Sequence, residues 1–222
     1  MARISRIVAV GHPHHITQRG VRSLDIFHSK EDRLGYLQFV KEETDRFGVE
    51  ILSWCLMTNH VHFIGIPQYE HSLAKGFGEA HKRYTRMKNF TEGVRGYLFQ
   101  GRFSSCVLDE RHLVAAVHYV ESNPVRAGLT GVAWDYPWSS AAFHVGKSEE
   151  DLLVSDRMLR GLIDDWRIFL ADNKGFSAEA LTKATRTGRP AGDQRFIETI
   201  EQLTCRNLCR KKPGRRSKAS LN

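Results

Sequence analysis

Two short apolar runs separated by only two residues constrain the fold of this chain more than any other feature. Residues 51–57 (ILSWCLM) and residues 60–66 (HVHFIGI) are joined by Thr58 and Asn59. Apolar runs of this length are typical of β-strands, and so short a connection favours an antiparallel hairpin. The sequence therefore predicts an antiparallel sheet built around this hairpin.

Strand and helix signals alternate on both sides of the hairpin. A first strand is predicted over His14–Arg19 and a last strand over residues 102–108. One helix is predicted to begin after Ser29, a capping residue, and to end at Gly48, and another to cover residues 72–88. The order β-α-β-β-α-β predicts an α+β fold of the ferredoxin-like type, an antiparallel sheet with helices on one face.

One further helix is predicted after the last strand. Asp109 is placed to cap it, it runs to about Ser122, and Pro124 ends it because proline cannot continue a helix. The apolar stripe of this helix is formed by Leu113, Val117 and Val120, so this face should turn to the core.

The positive charge of the chain is concentrated near its C-terminus. The net charge is +8, and residues 183–218 carry eleven Lys or Arg residues against three acids. The preceding residues balance, with 22 basic and 22 acidic side chains. A neutral body with a basic tail suggests contact with a polyanion, although a solvated tail or an intracellular targeting signal would look the same.

The same segment suggests a division of the chain into two parts. We predict one domain over residues 1–145 and a smaller helical, basic region over residues 146–222. Within the second part, residues 186–192 (RTGRPAG) are predicted to be a linker and residues 210–222 to be disordered. No apolar run approaches the ~20 residues that span a bilayer, so we expect a cytoplasmic protein without a membrane partner.

Two histidines in the second run of the hairpin are the first candidates for chemistry. His60 and His62 are two residues apart, so in a strand their side chains point to the same face. Two imidazoles on one face are placed to share a metal ion. A pair of structural histidines satisfied by hydrogen bonds is the alternative interpretation.

Tyr119 is the second candidate, because it lies off the apolar stripe of its helix. Asn123 follows four residues later and so shares its side. A phenol and an amide oxygen converging on the two histidines would leave positions for phosphate oxygens on a six-coordinate Mg²⁺ or Mn²⁺. A boundary tyrosine and a capping asparagine are the alternatives.

Five segments in this order resemble a known family. LMTNHVHFIGIP, FQGRFSSCVLDERHL and HYVESNPVRAGL, with PHHITQRG before them and DYPWSSAAFH after them, are similar to the HUH-type Y1 transposases. The likeness is greatest to the REP-associated tyrosine transposases, which are relatives of the IS200/IS605 transposases, and it covers roughly residues 1–145.

The resemblance implies a role for each candidate. His60 and His62 would be the metal ligands, Tyr119 the nucleophile that becomes linked to a 5′-phosphate, and Asn123 a third ligand of Mg²⁺ or Mn²⁺. The substrate would be single-stranded or hairpin DNA, and the protein a monomer or homodimer that joins the nucleoid when bound to DNA.

Five basic residues are candidates for DNA contact. Lys82, Arg83 and Arg86 on the predicted second helix, with Arg19 and Arg102, could neutralise phosphates, and Tyr84 could stack on a base. Solvated charges and a core ring are the competing interpretations.

Two other functions stay open. The chain could bind hairpin DNA or RNA without cleaving it, or it could be a metal-dependent nuclease that attacks with water.

Overall fold

The computed structural model describes residues 5–154, 159–172 and 178–208. Four strands form one antiparallel sheet: β1 (His14–Arg19), β2 (Val49–Leu56), β3 (His60–Pro67) and β4 (Ser104–Val107). The helices are α1 (Lys30–Phe47), α2 (Ser72–Glu92), α3 (Glu110–Glu121), α4 (Asn123–Arg126), α5 (Ala141–His144), α6 (Trp166–Ala171), α7 (Ala178–Thr187) and α8 (Gln194–Thr204). The predicted β-α-β-β-α-β order with an added helix is confirmed.

The sheet has the strand order β2-β3-β1-β4, with neighbours antiparallel throughout. This order places β1 and β3 at the centre, so the histidines of β3 lie beside β1 and not at an edge. The register pairs His62 of β3 with Thr17 of β1 and with Cys55 of β2. Strand β3 is therefore supported on both sides.

Local signals set both ends of α1 and the start of α3 as predicted, whereas α2 continues past the predicted residue 88 to Glu92. The Ser29 hydroxyl accepts the backbone N–H of Asp32 at 3.1 Å, and Asp109 accepts that of His112 at 2.7 Å. Gly48 has a φ of 65°, the left-handed conformation that glycine adopts without strain. Helix α3 stops at Glu121, and Pro124 lies in the first turn of α4, where no intrahelical N–H is needed.

Both faces of the sheet are covered. One apolar cluster lies between the sheet and helices α1 and α2, and includes Val61 and Phe63 of β3. A second cluster lies on the opposite face and joins Ile64 of β3 to residues of α3, α6 and α7. Helices α1 and α2 are thus the ferredoxin-like pair, and the added helix α3 covers the other face.

The expected linker is part of this second layer. In the segment 186–192, Pro190 and Ala191 are buried, and Ala191 forms a β-bridge with Leu108. Residues 188–193 connect α7 to α8, as expected of a linker, but the connection is packed in place because α7 and α8 contact the sheet domain through Leu181 and Ile200. The predicted boundary at residue 145 remains a prediction.

Two further expectations can be compared with the structure. No helix within the described ranges has the length and apolarity required to cross a bilayer. The predicted disorder of residues 210–222 concerns positions outside the described residues.

Candidate active site

The candidate site lies on the face of the sheet that is covered by α3. Because side chains alternate along β3, Val61 and Phe63 enter the core under α1 and α2. His60 and His62 point to the opposite face, with ring centroids 5.0 Å apart and planes at 84°. The predicted pairing of the two imidazoles is therefore observed.

The hydrogen bonds of His60 determine which of its nitrogens carries the proton. The amide nitrogen of Asn59 donates to the carbonyl of Ser23 at 3.1 Å, so the amide oxygen faces His60. That oxygen can only accept, and it lies 2.6 Å from Nδ1 of His60. Nδ1 is therefore protonated, and Nε2 of His60 keeps a lone pair for a ligand.

His62 is held through Nδ1 as well. Its Nδ1 is 2.9 Å from Nε2 of His15, which is on the neighbouring strand β1. Nε2 of His62 is buried and has no hydrogen-bond partner in the described part of the chain. A buried polar atom normally has a partner, so this nitrogen is suited to an external ligand.

The three imidazoles are neutral at physiological pH. Burial lowers the pKa of His60 to about 4 and that of His15 to about 3. Burial lowers the pKa of His62 well below its usual value, and electrostatic interactions with His15, His60, Arg19 and Arg126 lower it further. Neutral imidazoles are the form that binds metal ions.

Tyr119 is brought against these histidines by α3. Its ring is edge-on to His62, with centroids 5.4 Å apart, and edge-on to His15 at 6.1 Å. The guanidinium carbon of Arg126 lies 4.8 Å from the centre of the Tyr119 ring. The structure therefore brings the predicted nucleophile and both predicted metal ligands together, and adds a cation beside the phenol.

Asn123 lies at the start of α4, just after the break in the helix. It is 9% exposed, and its amide nitrogen is buried without a partner among the described residues. It is not one of the residues that line the cavity beside Tyr119. Its role as a third metal ligand stays a prediction.

The donors present fit a divalent metal ion of open coordination. Nε2 of His60 is unprotonated, and Nε2 of His62 has no partner among the described residues. Both side chains lie on the same face of the sheet. Within the described ranges, no group of three or more His, Cys, Asp or Glu side chains could hold a metal. A cation here would therefore complete its shell with oxygen atoms of other kinds, such as amide, water or phosphate oxygens.

A cavity of about 590 Å³ opens beside Tyr119 and His62. It is lined by residues of β1, β3 and α7 and by the loop before β4, among them the predicted Arg19 and Arg102. Helix α7 contributes Thr182, Thr185 and Arg186, which the sequence had not indicated. The cavity thus has cationic side chains from three parts of the chain.

A second cavity of about 770 Å³ adjoins the first, since Gln18 and Arg102 line both. The predicted Lys82 and Arg86 line this second cavity, together with Tyr97, which is 89% exposed. The first cavity lies on the α3 face of the sheet and the second lies against α2, which covers the other face, so Gln18 and Arg102 are the lining residues that the two cavities share.

Arg83 and Tyr84 lie elsewhere. Arg83 forms ion pairs with Glu42 at 2.6 Å and Glu43 at 2.7 Å, which attach α2 to α1. Tyr84 is fully buried and donates a hydrogen bond to the carbonyl of Ile26 at 2.5 Å. The suggestion that Tyr84 stacks on a base is wrong, because the ring is part of the core.

Besides Thr182 and Arg186, sequence reasoning missed three residues that contact the site. His15 and Arg126 lie within segments that carry the family resemblance, PHHITQRG and HYVESNPVRAGL, but their positions give no local signal of a role. Thr185 is 170 residues from His15 along the chain and contacts it only through the fold. Only the packing of α7 on the sheet shows that it belongs to the site.

Comparison with known proteins identifies the family and the fold to which this site belongs. Residues 12–123 match the family model described as IS200-like transposase. A protein of Haemophilus influenzae, provisionally named a REP-associated tyrosine transposase, is 24% identical over 115 residues, which is 47% of this chain. The chain covers 64% of the length of that relative.

A solved structure of a REP-associated tyrosine transposase bound to a REP hairpin is similar with a TM-score of 0.57. The match covers 80% of this chain and 98% of the other at 16% identity, so it establishes a shared fold. The family match spans half of the chain, from before β1 to the first residue of α4. This chain belongs to the IS200-like transposase family.

Proposed function

We propose that this protein cleaves and rejoins single-stranded or hairpin DNA through a covalent bond to Tyr119. The observation that carries the proposal is the contact of the Tyr119 ring with His62, whose Nε2 is buried without a partner in the described chain. A nucleophile and an available ligand atom meet beside a cavity lined by arginines. Membership of the family agrees with this chemistry.

In the proposed reaction the phenolic oxygen of Tyr119 attacks a DNA phosphorus atom. The new bond joins the tyrosine oxygen to the 5′-phosphate, the bond between phosphorus and the 3′-oxygen breaks, and the phenol proton ends on the 3′-hydroxyl. The phosphotyrosine keeps the energy of the broken diester. A later 3′-hydroxyl can therefore reverse the step and rejoin a strand.

His60 and His62, with Asn123 as the proposed third ligand, would hold Mg²⁺ or Mn²⁺. Such an ion would supply Lewis-acid polarisation of the phosphate. Arg126 lies over the ring of Tyr119, so its guanidinium can stabilise the negative charge of a phosphate bound there. Arg19 and Arg102 at the cavity are placed to bind the adjoining phosphates.

The residues of the second cavity support a single strand as the substrate. Lys82 and Arg86 are exposed at this cavity, where they can neutralise a DNA backbone. The exposed ring of Tyr97 beside them is suited to stacking on an unpaired base, an interaction that duplex DNA does not offer. Because the similar solved transposase is bound to a REP hairpin, we propose hairpin DNA as a substrate class for this chain as well.

The test is the Tyr119→Phe variant, which removes one oxygen and keeps the ring. Both proteins are incubated with end-labelled single-stranded and hairpin DNA and Mn²⁺, then denatured and separated. We expect the wild type to form an adduct that survives denaturation and maps to Tyr119, and the variant to bind the same DNA but form none. Tyr97→Phe is the matched control, and it should form the adduct.

Each other result excludes the proposal in a different way. Cleavage by Tyr119→Phe without an adduct would identify a nuclease that uses water. Hairpin binding by the wild type without any cleavage would identify a binding protein. An adduct on Tyr97 would show that the nucleophile was misassigned.

A further inference from the structure

A chain of buried hydrogen bonds leads from His62 to helix α7, in the C-terminal part of the chain. Nδ1 of His62 is 2.9 Å from Nε2 of His15, and Nδ1 of His15 is 2.7 Å from Oγ1 of Thr185. Oγ1 of Thr185 is in turn 3.2 Å from the sulfur of Cys106 on β4. All four side chains are buried, with exposures of 5% or less.

The geometry of the two rings restricts where the protons of His15 and His62 can lie. The imidazoles of His15 and His62 are stacked, with planes 8° apart and centroids separated by 5.1 Å. A neutral imidazole has one donor and one acceptor nitrogen, so two imidazoles in series must point their protons the same way. The position of one proton therefore fixes the position of the other.

Only one of the two directions leaves His62 able to bind a cation. In that direction Nδ1–H of His62 donates to Nε2 of His15, and Nδ1–H of His15 donates to Oγ1 of Thr185. Nε2 of His62 then carries no proton and keeps its lone pair for a cation. In the reverse direction Nε2–H of His62 would be a buried donor without an acceptor in the described chain. Buried donors without acceptors are rare, because they lose their bond to water.

We propose that His15 and Thr185 are positioning residues that fix the ring and the tautomer of His62 so that its Nε2 faces the cation. This rests on the proposed metal centre. It makes α7, which lies beyond the residues matched by the family model, a functional part of the active site. Neither residue would touch the cation or the DNA to do this.

Thr187 in the same helix provides a matched control. It is 7% exposed, close to the 4% of Thr185, and also carries a buried hydroxyl. Its hydroxyl, however, donates to carbonyls of its own helix, those of Lys183 and Ala184. A change from threonine to valine at either position removes one hydroxyl and keeps the shape, but only Thr185 is joined to His15.

The experiment measures the binding of Mn²⁺ alone to the full chain by electron paramagnetic resonance. Loss of an outer partner of a ligating histidine typically weakens metal binding about 10- to 100-fold. We expect this loss in Thr185→Val, no loss in Thr187→Val, and recovery in Thr185→Ser. His62→Ala should remove the site. Circular dichroism establishes that each variant is folded.

A second measurement, by ¹⁵N nuclear magnetic resonance, reports which nitrogen of His62 carries the proton. In the metal-free wild type, ¹⁵N spectra of the histidine rings should show His62 protonated on Nδ1 and not on Nε2. In Thr185→Val the two His62 tautomers should mix, because His15 has lost the acceptor that fixes its own proton.

The outcomes separate this inference from the proposed function. If the wild type binds no Mn²⁺ at this site, both are overturned. If His62→Ala abolishes binding but Thr185→Val binds as tightly as the wild type, the positioning role alone is overturned. Equal weakening by both valine variants would also overturn it, since helix packing would then explain the effect.

Discussion

The carboxylate of Glu121 offers a direct test of how α3 is held in place. Glu121 is completely buried at the end of α3, two residues after Tyr119. One of its oxygens accepts from the hydroxyl of Ser53 at 3.0 Å, the hydroxyl of Ser140 at 2.5 Å and Nδ1 of His144 at 2.6 Å. These bonds attach the helix that carries Tyr119, the proposed nucleophile, to β2 and α5.

Glu121→Leu keeps a side chain of similar size but removes the shared acceptor. The hydroxyl of Ser140 can turn to the carbonyl of Trp54 at 3.3 Å, whereas the donors of Ser53 and His144 lose this acceptor. A buried donor that loses its acceptor costs about 1–3 kcal/mol. Two such donors at about 2 kcal/mol each cost about 4 kcal/mol, and the added apolar burial of leucine offsets about 1 kcal/mol of this. We therefore expect the free energy of unfolding to fall by roughly 3 kcal/mol.

The assay is urea denaturation followed by tryptophan fluorescence and circular dichroism, with thermal melts in parallel. A loss of this size lowers the melting temperature of a chain of this length by about 6–12 °C. Glu50→Leu, at an exposed position of the neighbouring strand β2, is the control and should change the free energy by less than about 0.5 kcal/mol. If Glu121→Leu is as stable as the wild type, the carboxylate does not anchor α3 and our reasoning fails.

Two more predictions concern acid stability and the basic tail. Burial lowers the pKa of His81 in the folded protein to about 3, whereas the unfolded chain keeps the ordinary value of 6.5. Between pH 6.5 and pH 3, His81 is therefore protonated only in the unfolded chain, and the folded state loses stability as the pH falls. The wild type should therefore lose roughly 2 kcal/mol of its free energy of unfolding through His81 between pH 7 and pH 5, and His81→Phe should not show this part of the loss. Urea denaturation at both pH values measures it. The same pH dependence of the free energy of unfolding in both proteins would contradict the prediction. Deletion of residues 209–222 removes six Lys or Arg residues and leaves the buried Leu208 in place. We expect hairpin DNA binding to weaken and its dependence on salt to become shallower, and equal salt slopes would show that this charge has another purpose.

The sequence determined the elements whose signals are local. The alternation of side chains along a strand was sufficient to put His60 and His62 on one face, because this pattern needs no information from the rest of the chain. The caps at Ser29 and Asp109 and the glycine at Gly48 acted within a single turn, so the ends of their helices were predicted correctly. The ferredoxin-like arrangement followed from the order of the elements along the chain, because few topologies accommodate that order.

Tertiary structure decided everything that depends on contacts between distant parts of the chain. Arg83 and Arg102 are equally basic in the sequence, but only the packing of α2 on α1 directs Arg83 to the carboxylates of Glu42 and Glu43. The hydrogen bond between His15 and Thr185 joins residues from the first strand and the seventh helix. Such a contact leaves no periodic pattern in either segment, because it exists only after both have been buried against the same face of the sheet.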